Sequence, residues 1–165
     1  MNTKLFCIAV LTFAASNSYA SLQPPEALKP GVWSTKITRT QLTDADIKRL
    51  SYVKMATADV YAGTSDINLR TNQRGTARSV HSVCFETLLT TEADYMFDLN
   101  VGGISNIMKD HIVIMARQRT CVEHQLYKEV SIGSPGNYAF YAITSGTTQM
   151  AGEKRTTSRG NISVR

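Results

Sequence analysis

Two short stretches constrain this chain more than any others: His81-Ser82-Val83-Cys84 and its mirror, Cys121-Val122-Glu123-His124. Together they hold two of the three cysteines and two of the three histidines. The third cysteine, Cys7, lies in a segment that reads as a secretory signal peptide. Lys4 gives a short basic start, residues 5–15 are a predominantly apolar run, and Ser18-Tyr19-Ala20 sets small residues at −3 and −1 of a cleavage site. That run is shorter than the roughly 18 apolar residues of a membrane span, and Phe6-Cys7-Ile8 is not a lipid-attachment context. The expected organisation is therefore a signal peptide at 1–20, cleaved after Ala20, then an extended lead-in at 21–30 holding three of the four prolines. A single exported globular domain follows at 31–165, periplasmic or secreted, with no transmembrane segment.

Export decides how Cys84 and Cys121 are read. Two cysteines in an oxidising compartment pair with each other. The bridge would close a loop of about 38 residues, worth roughly 4 kcal/mol by the loop-entropy estimate. The alternative is a metal site made of His81, Cys84, Cys121 and His124, whose donor types suit zinc. Three considerations weigh against it. The His-x-x-Cys half lacks the usual Cys-x-x-Cys knuckle, an oxidising compartment favours the disulfide, and residues three apart on a strand point to opposite faces. No cofactor is expected. On this reading His81 is a surface residue and His124 a partly buried one.

The rest of the pattern is mainly that of strands. Trp33, Thr35 and Ile37 alternate with Ser34, Lys36 and Thr38, which predicts a first strand with Trp33 as a core anchor or, in a second reading, a ligand-stacking residue. Thr43 followed by Asp44 and Asp46 predicts a helix start, with Ile47, Leu50 and Val53 inward and Gly63 as the stop. Residues 63–78 read as a polar surface loop with a short edge strand at Ile67–Leu69, and residues 79–86 as a strand. Thr91 and Asp94 predict a second capped helix, with Ala93, Met96 and Phe97 inward and Gly102-Gly103 at its end. Ile104, Ile107 and Met108 suggest another helical turn, and residues 111–116 a strand buried on both faces. Residues 122–132 alternate strictly. With Gly133-Ser134-Pro135-Gly136 as a turn and 138–144 returning, they predict a β-hairpin. One or two polar strands over 155–165 end the chain. The fold class expected is α+β: a mainly antiparallel sheet of about five to seven strands, curved or partly barrel-like, with one or two packed helices.

Charge narrows the partners. The exported chain keeps 17 basic against 13 acidic residues, and the excess lies late: residues 21–108 are balanced at nine each, while 109–165 hold eight basic and four acidic. Lys154, Arg155, Arg159 and, more weakly, Trp33 are the binding candidates, directed at an envelope protein, a lipid or an anionic polymer. No nucleic-acid motif or basic stripe with interleaved aromatics accompanies them. Catalytic signatures (Gly-x-Ser-x-Gly, His-Glu-x-x-His, a phosphate-cradling glycine loop) are lacking, and Asp94 with Asp98 fits a solvated helix face as well as a carboxylate pair. Asn161-Ile162-Ser163 fits a glycosylation acceptor, which matters only in a eukaryotic host.

Lys29-Pro30-Gly31-Val32-Trp33, Cys84 midway and Cys121 before the late turn resemble a family of small exported bacterial proteins of unknown function, marked by a Pro-Gly-hydrophobic-Trp start and a spaced cysteine pair. The resemblance runs over about residues 29–159. It implies a periplasmic, mainly antiparallel β domain with a cysteine pair and carries over no catalytic residues. The function expected is that of a non-enzymatic periplasmic or secreted protein binding an envelope component, lipid or partner protein. The alternatives are a secreted inhibitor, immunity or effector-accessory protein, with the basic end or the 63–78 loop as interface, and a Cys/His metal-binding protein.

Overall fold

The computed structural model describes residues 35–53 and 55–165, and the expectations placed on residues 1–34, the signal peptide, the lead-in and Trp33 among them, lie outside the described residues. Nine strands and one helix follow in order: β1 (Thr35–Gln41), α1 (Asp44–Val53), β2 (Ala56–Thr64), β3 (Ile67–Leu69), β4 (Arg74–Thr87), β5 (Thr91–Val101), β6 (Ile104–Ile114), β7 (Gln118–Ser131), β8 (Gly136–Thr148) and β9 (Lys154–Val164). They form a four-stranded sheet in the order β1-β7-β4-β2 and a five-stranded sheet in the order β3-β9-β8-β5-β6. All pairings are antiparallel except β3 with β9. The mainly antiparallel class is as expected, but in place of one sheet of about five to seven strands there are nine strands divided between two sheets, with one helix among the described residues.

The two sheets pack face to face because each long strand buries alternate side chains. Ala77, Val83 and Phe85 of β4 and Val122, Leu126 and Val130 of β7 meet Ala93, Phe97 and Leu99 of β5 and Phe140 of β8. Side chains in such a core gain on the order of 1.5–3 kcal/mol each from leaving water. The sheets come close where β8 crosses β4. A Cβ on Gly146 would meet Val83 Cγ2 at 2.5 Å, so only glycine fits that crossing.

Helix α1 starts as read. Thr43 and Asp46 cap it reciprocally, Asp46 N–H donating to Thr43 Oγ1 at 3.2 Å and Thr43 N–H to Asp46 Oδ2 at 3.2 Å. The hydrogen bonds from Thr43 hold the Asp46 carboxyl below its ordinary range. The helix then ends ten residues before Gly63. Met55 takes a left-handed φ of 60° and donates to the Leu50 carbonyl at 3.1 Å, and β2 begins at Ala56.

Four further expectations are corrected. The stretch starting at Thr91 is strand β5, not a helix: Ala93, Tyr95, Phe97 and Leu99 are all buried, a period of two, which outweighs the cap-like Thr91 and Asp94. Ile104, Ile107 and Met108 lie on β6, joined to β5 by Gly102 and Gly103, whose φ values of +61° and +78° suit a tight hairpin turn. Residues 111–114 are not buried on both faces, since β6 is an edge strand whose Ile112 and Ile114 face inward while Val113 is exposed. The 133–136 turn closes no hairpin: β7 pairs with β1 and β4, and β8 with β5 and β9, so the turn carries the chain from one sheet to the other.

Candidate binding site

The mirror motif lies on one ladder. β4 and β7 pair so that Cys84 faces Cys121 and His81 faces His124. Cys84 and Cys121 form a disulfide, their Cα atoms 4.0 Å apart, the close spacing of a directly opposed antiparallel pair. The bridge joins two neighbouring strands of one sheet, on its outer face, beside Arg119. The histidines sit three positions away and point the other way, into the core, so the four side chains do not converge. Among the described residues no group of three or more His, Cys, Asp or Glu is gathered to hold a metal.

Both histidines are buried, which corrects the reading of His81 as a surface residue. Phe97 of the facing sheet stacks against both imidazoles, at centroid distances of 5.3 Å to His81 and 5.5 Å to His124. Thr144 donates its single O–H to the Tyr61 carbonyl at 2.8 Å. Towards His81 Nδ1, at 2.9 Å, its oxygen must therefore accept, which makes Nδ1 the protonated nitrogen. Nε2 then accepts from Ser79 Oγ at 2.7 Å. The neutral ring is satisfied at both nitrogens. Burial pushes its pKa down to about 4, with the neighbouring His124 adding to the effect. Thr35 of β1 lies 2.9 Å from His124 Nδ1. These groups build a polar centre sealed from solvent, which suits a structural role.

The open chemistry is on the outer face of the five-stranded sheet. Here a groove of about 770 Å³ runs across β6, β5, β8 and the start of β9, with Asp94, Lys109, His111, Thr147, Glu153 and Arg155 among its walls. Asp94 and His111 are register partners on β5 and β6, and Asp94 Oδ1 lies 2.8 Å from His111 Nδ1. That hydrogen bond raises the His111 pKa. Glu92 Oε1 stands 3.9 Å from the other ring nitrogen. Exposed Ile107 and Val113 flank Lys109 and His111 on the same face of β6.

Of the basic candidates, Arg155 lines this groove and Arg159 lies four residues along the same face of β9. Lys154 lines a separate hollow with Ala56, Thr57 and Ala151. Sequence reading missed Lys109 and His111 as site residues. Asp94 is read there as a helix residue, and its pairing with His111 follows only from the β5–β6 register.

No family model and no curated protein sequence matches the chain. Among solved structures it is similar to the CARDB domain of a Pyrococcus furiosus protein solved in complex with di-metal ions, at 11% identity over 67% of this chain and 94% of that one, with a TM-score of 0.39. It is also similar to a PapD-like domain of human CEP192, at 8% identity over 64% and 84% of the two chains, TM-score 0.30. A family 123 glycoside hydrolase from Clostridium perfringens shares 8% identity over 81% of this chain but 27% of its own length, TM-score 0.29. At these TM-scores the likenesses transfer neither ligand nor activity.

Proposed function

We propose that this chain is an exported, non-enzymatic binding domain that engages a partner protein in the envelope or outside the cell. The surface used is the outer face of the five-stranded sheet. One observation carries the reading: the space between the sheets is filled by side chains such as Phe85, Phe97 and Phe140, while the outer face holds the open groove with both charge signs and apolar neighbours. Mixed charges bordered by exposed Ile107 and Val113 suit a protein surface. The disulfide supports export, since oxidising compartments preserve such bonds. The signal-peptide pattern and the resemblance to small exported bacterial proteins point the same way. No helix among the described residues is long and apolar enough to cross a membrane.

The test is site-directed photo-crosslinking in the native envelope. A crosslinker at Thr147, inside the groove, is expected to trap one discrete protein adduct that disappears with Arg155→Glu. A crosslinker at exposed Glu129 of β7 should not trap it. The same adducts from both positions, or none from Thr147, would contradict the proposal.

A further inference from the structure

The four-stranded sheet has its own outer face, and there a row of side chains crosses all four strands in register. Tyr61 of β2 lies opposite Ser82 of β4, Ser82 opposite Glu123 of β7, and Glu123 opposite Lys36 of β1. Beside this row stand Val80 and Gln125, themselves a register pair. These residues line a hollow of about 300 Å³, at the small end of ligand-pocket sizes. Lys36 Nζ and Glu123 Oε2 are 3.3 Å apart, so the polar end of the hollow presents an ammonium and a carboxylate side by side.

The aromatic end is shaped by a glycine. The Tyr61 ring folds back along its own strand over Gly63. A Cβ at Gly63 would meet Tyr61 Oη at 2.7 Å and two ring carbons at 3.2 Å, so any other residue would displace the ring. The ring nevertheless stays 59% exposed, which leaves much of it available for contact. Its backbone is fixed from inside, because the Tyr61 carbonyl accepts from Thr144, the partner of buried His81.

An exposed, positioned aromatic ring beside a carboxylate, an ammonium, an amide and a hydroxyl matches a ligand with one apolar face and many hydroxyl groups. We infer that this hollow binds a pyranose unit of a glycan, the C–H face of the sugar against Tyr61 and its hydroxyls on Ser82, Glu123, Gln125 and Lys36. Aromatic rings attract the electropositive C–H edge through their negative face. Gln125, whose Oε1 accepts from Tyr127 Oη, keeps its amide N–H groups for a sugar oxygen, and the Lys36–Glu123 pair offers a donor and an acceptor. The site lies on a different sheet from the groove proposed to take a protein, so either can fail without the other.

The experiment is NMR titration of the whole exported chain with a panel of soluble hexasaccharides spanning neutral, N-acetylated and acidic sugars. At least one is expected to bind with saturable shifts at Tyr61, Ser82 and Gln125. Tyr61→Ala should weaken that binding about tenfold, the effect of losing one aromatic contact, while Tyr61→Phe retains it. Gly63→Ala should weaken it with the ring still present. Arg155→Glu, on the other sheet, should leave it unchanged. Because Tyr61 is exposed, an unaltered amide spectrum will show that the variants are folded. Failure of every member of the panel to bind, or binding that survives Tyr61→Ala, would overturn the inference.

Discussion

Two pairs of residues on the same ladder, three positions apart, do opposite things. Cys84–Cys121 faces outward and is covalent; His81–His124 faces inward and is held by hydroxyl groups and Phe97. On a helix a spacing of three would have placed cysteine and histidine on one face and made a metal knuckle plausible. On strands the same spacing separates them across the thickness of the sheet. The outer pair restrains the chain in every state in which it is oxidised. The inner pair contributes only when the sandwich is closed and the imidazoles are dry. Stability lost on removing the first should therefore not depend on pH between neutrality and pH 4, whereas the contribution of His81 should fall across pH 6.5 to about 4.

The largest effect is expected from the disulfide. Replacing both Cys84 and Cys121 by alanine releases a loop with a sequence separation of 37, and urea denaturation should show a loss of about 4 kcal/mol. A loss well below 1 kcal/mol would mean that the bridge adds little to strands already paired.

The histidine pair comes next. The folded-state pKa of His81, about 4, lies below its ordinary value of 6.5, so the unfolded chain takes up the proton first. The contribution of His81 is fully present above pH 6.5 and is lost as pH falls towards 4, amounting to about 3 kcal/mol over that window. His81→Leu should flatten the profile while lowering stability at neutral pH, since Ser79 loses its acceptor. Exposed His111 offers a contrast within the same molecule. Its pKa is raised by Asp94, so its small contribution is present below pH 6.5 and fades as pH rises through the folded value.

A third, smaller effect belongs to Glu86, close to the disulfide on the outer face. Its carboxylate is buried and accepts from Arg49 of α1, Arg119 of β7 at 3.3 Å and Thr57 of β2 at 3.4 Å. Both arginine side chains are nearly half exposed, at 47% and 46%, so water screens the cluster. Glu86→Gln should cost about 2 kcal/mol in urea denaturation. Reduced protection of α1 amides from hydrogen exchange should accompany it, because Arg49 is the ionic tie from the helix to this sheet.

What the sequence disclosed was local. The Thr43 cap, the short strand at Ile67–Leu69 and the alternation of β7 could all be read from neighbouring residues, and the cysteine pairing from the export pattern. What stayed hidden was either ambiguous or non-local. Thr91 and Asp94 imitate a helix cap, and only the run of Ala93, Tyr95, Phe97 and Leu99 shows the strand period. Residues 54–62 carry no strong breaker, so nothing before Gly63 marks the reversal at Met55. Alternation on β7 and β8 reveals strands but not that they belong to different sheets. The Asp94–His111 pair is written nowhere in local spacing, because it depends on the β5–β6 register. The burial of His81 follows from counting alternate residues back from Phe85, which places both on the inner face.

The same two strands carry a bonded pair outward and a dry histidine pair inward, in which His81 is neutral. A pH titration of the imidazole nitrogens by NMR tests it directly. His81 should remain neutral, with the proton on Nδ1, from neutral pH down to about pH 4, while His111 titrates above its ordinary value. A His81 that titrates near 6.5 would place the ring in water and contradict the account.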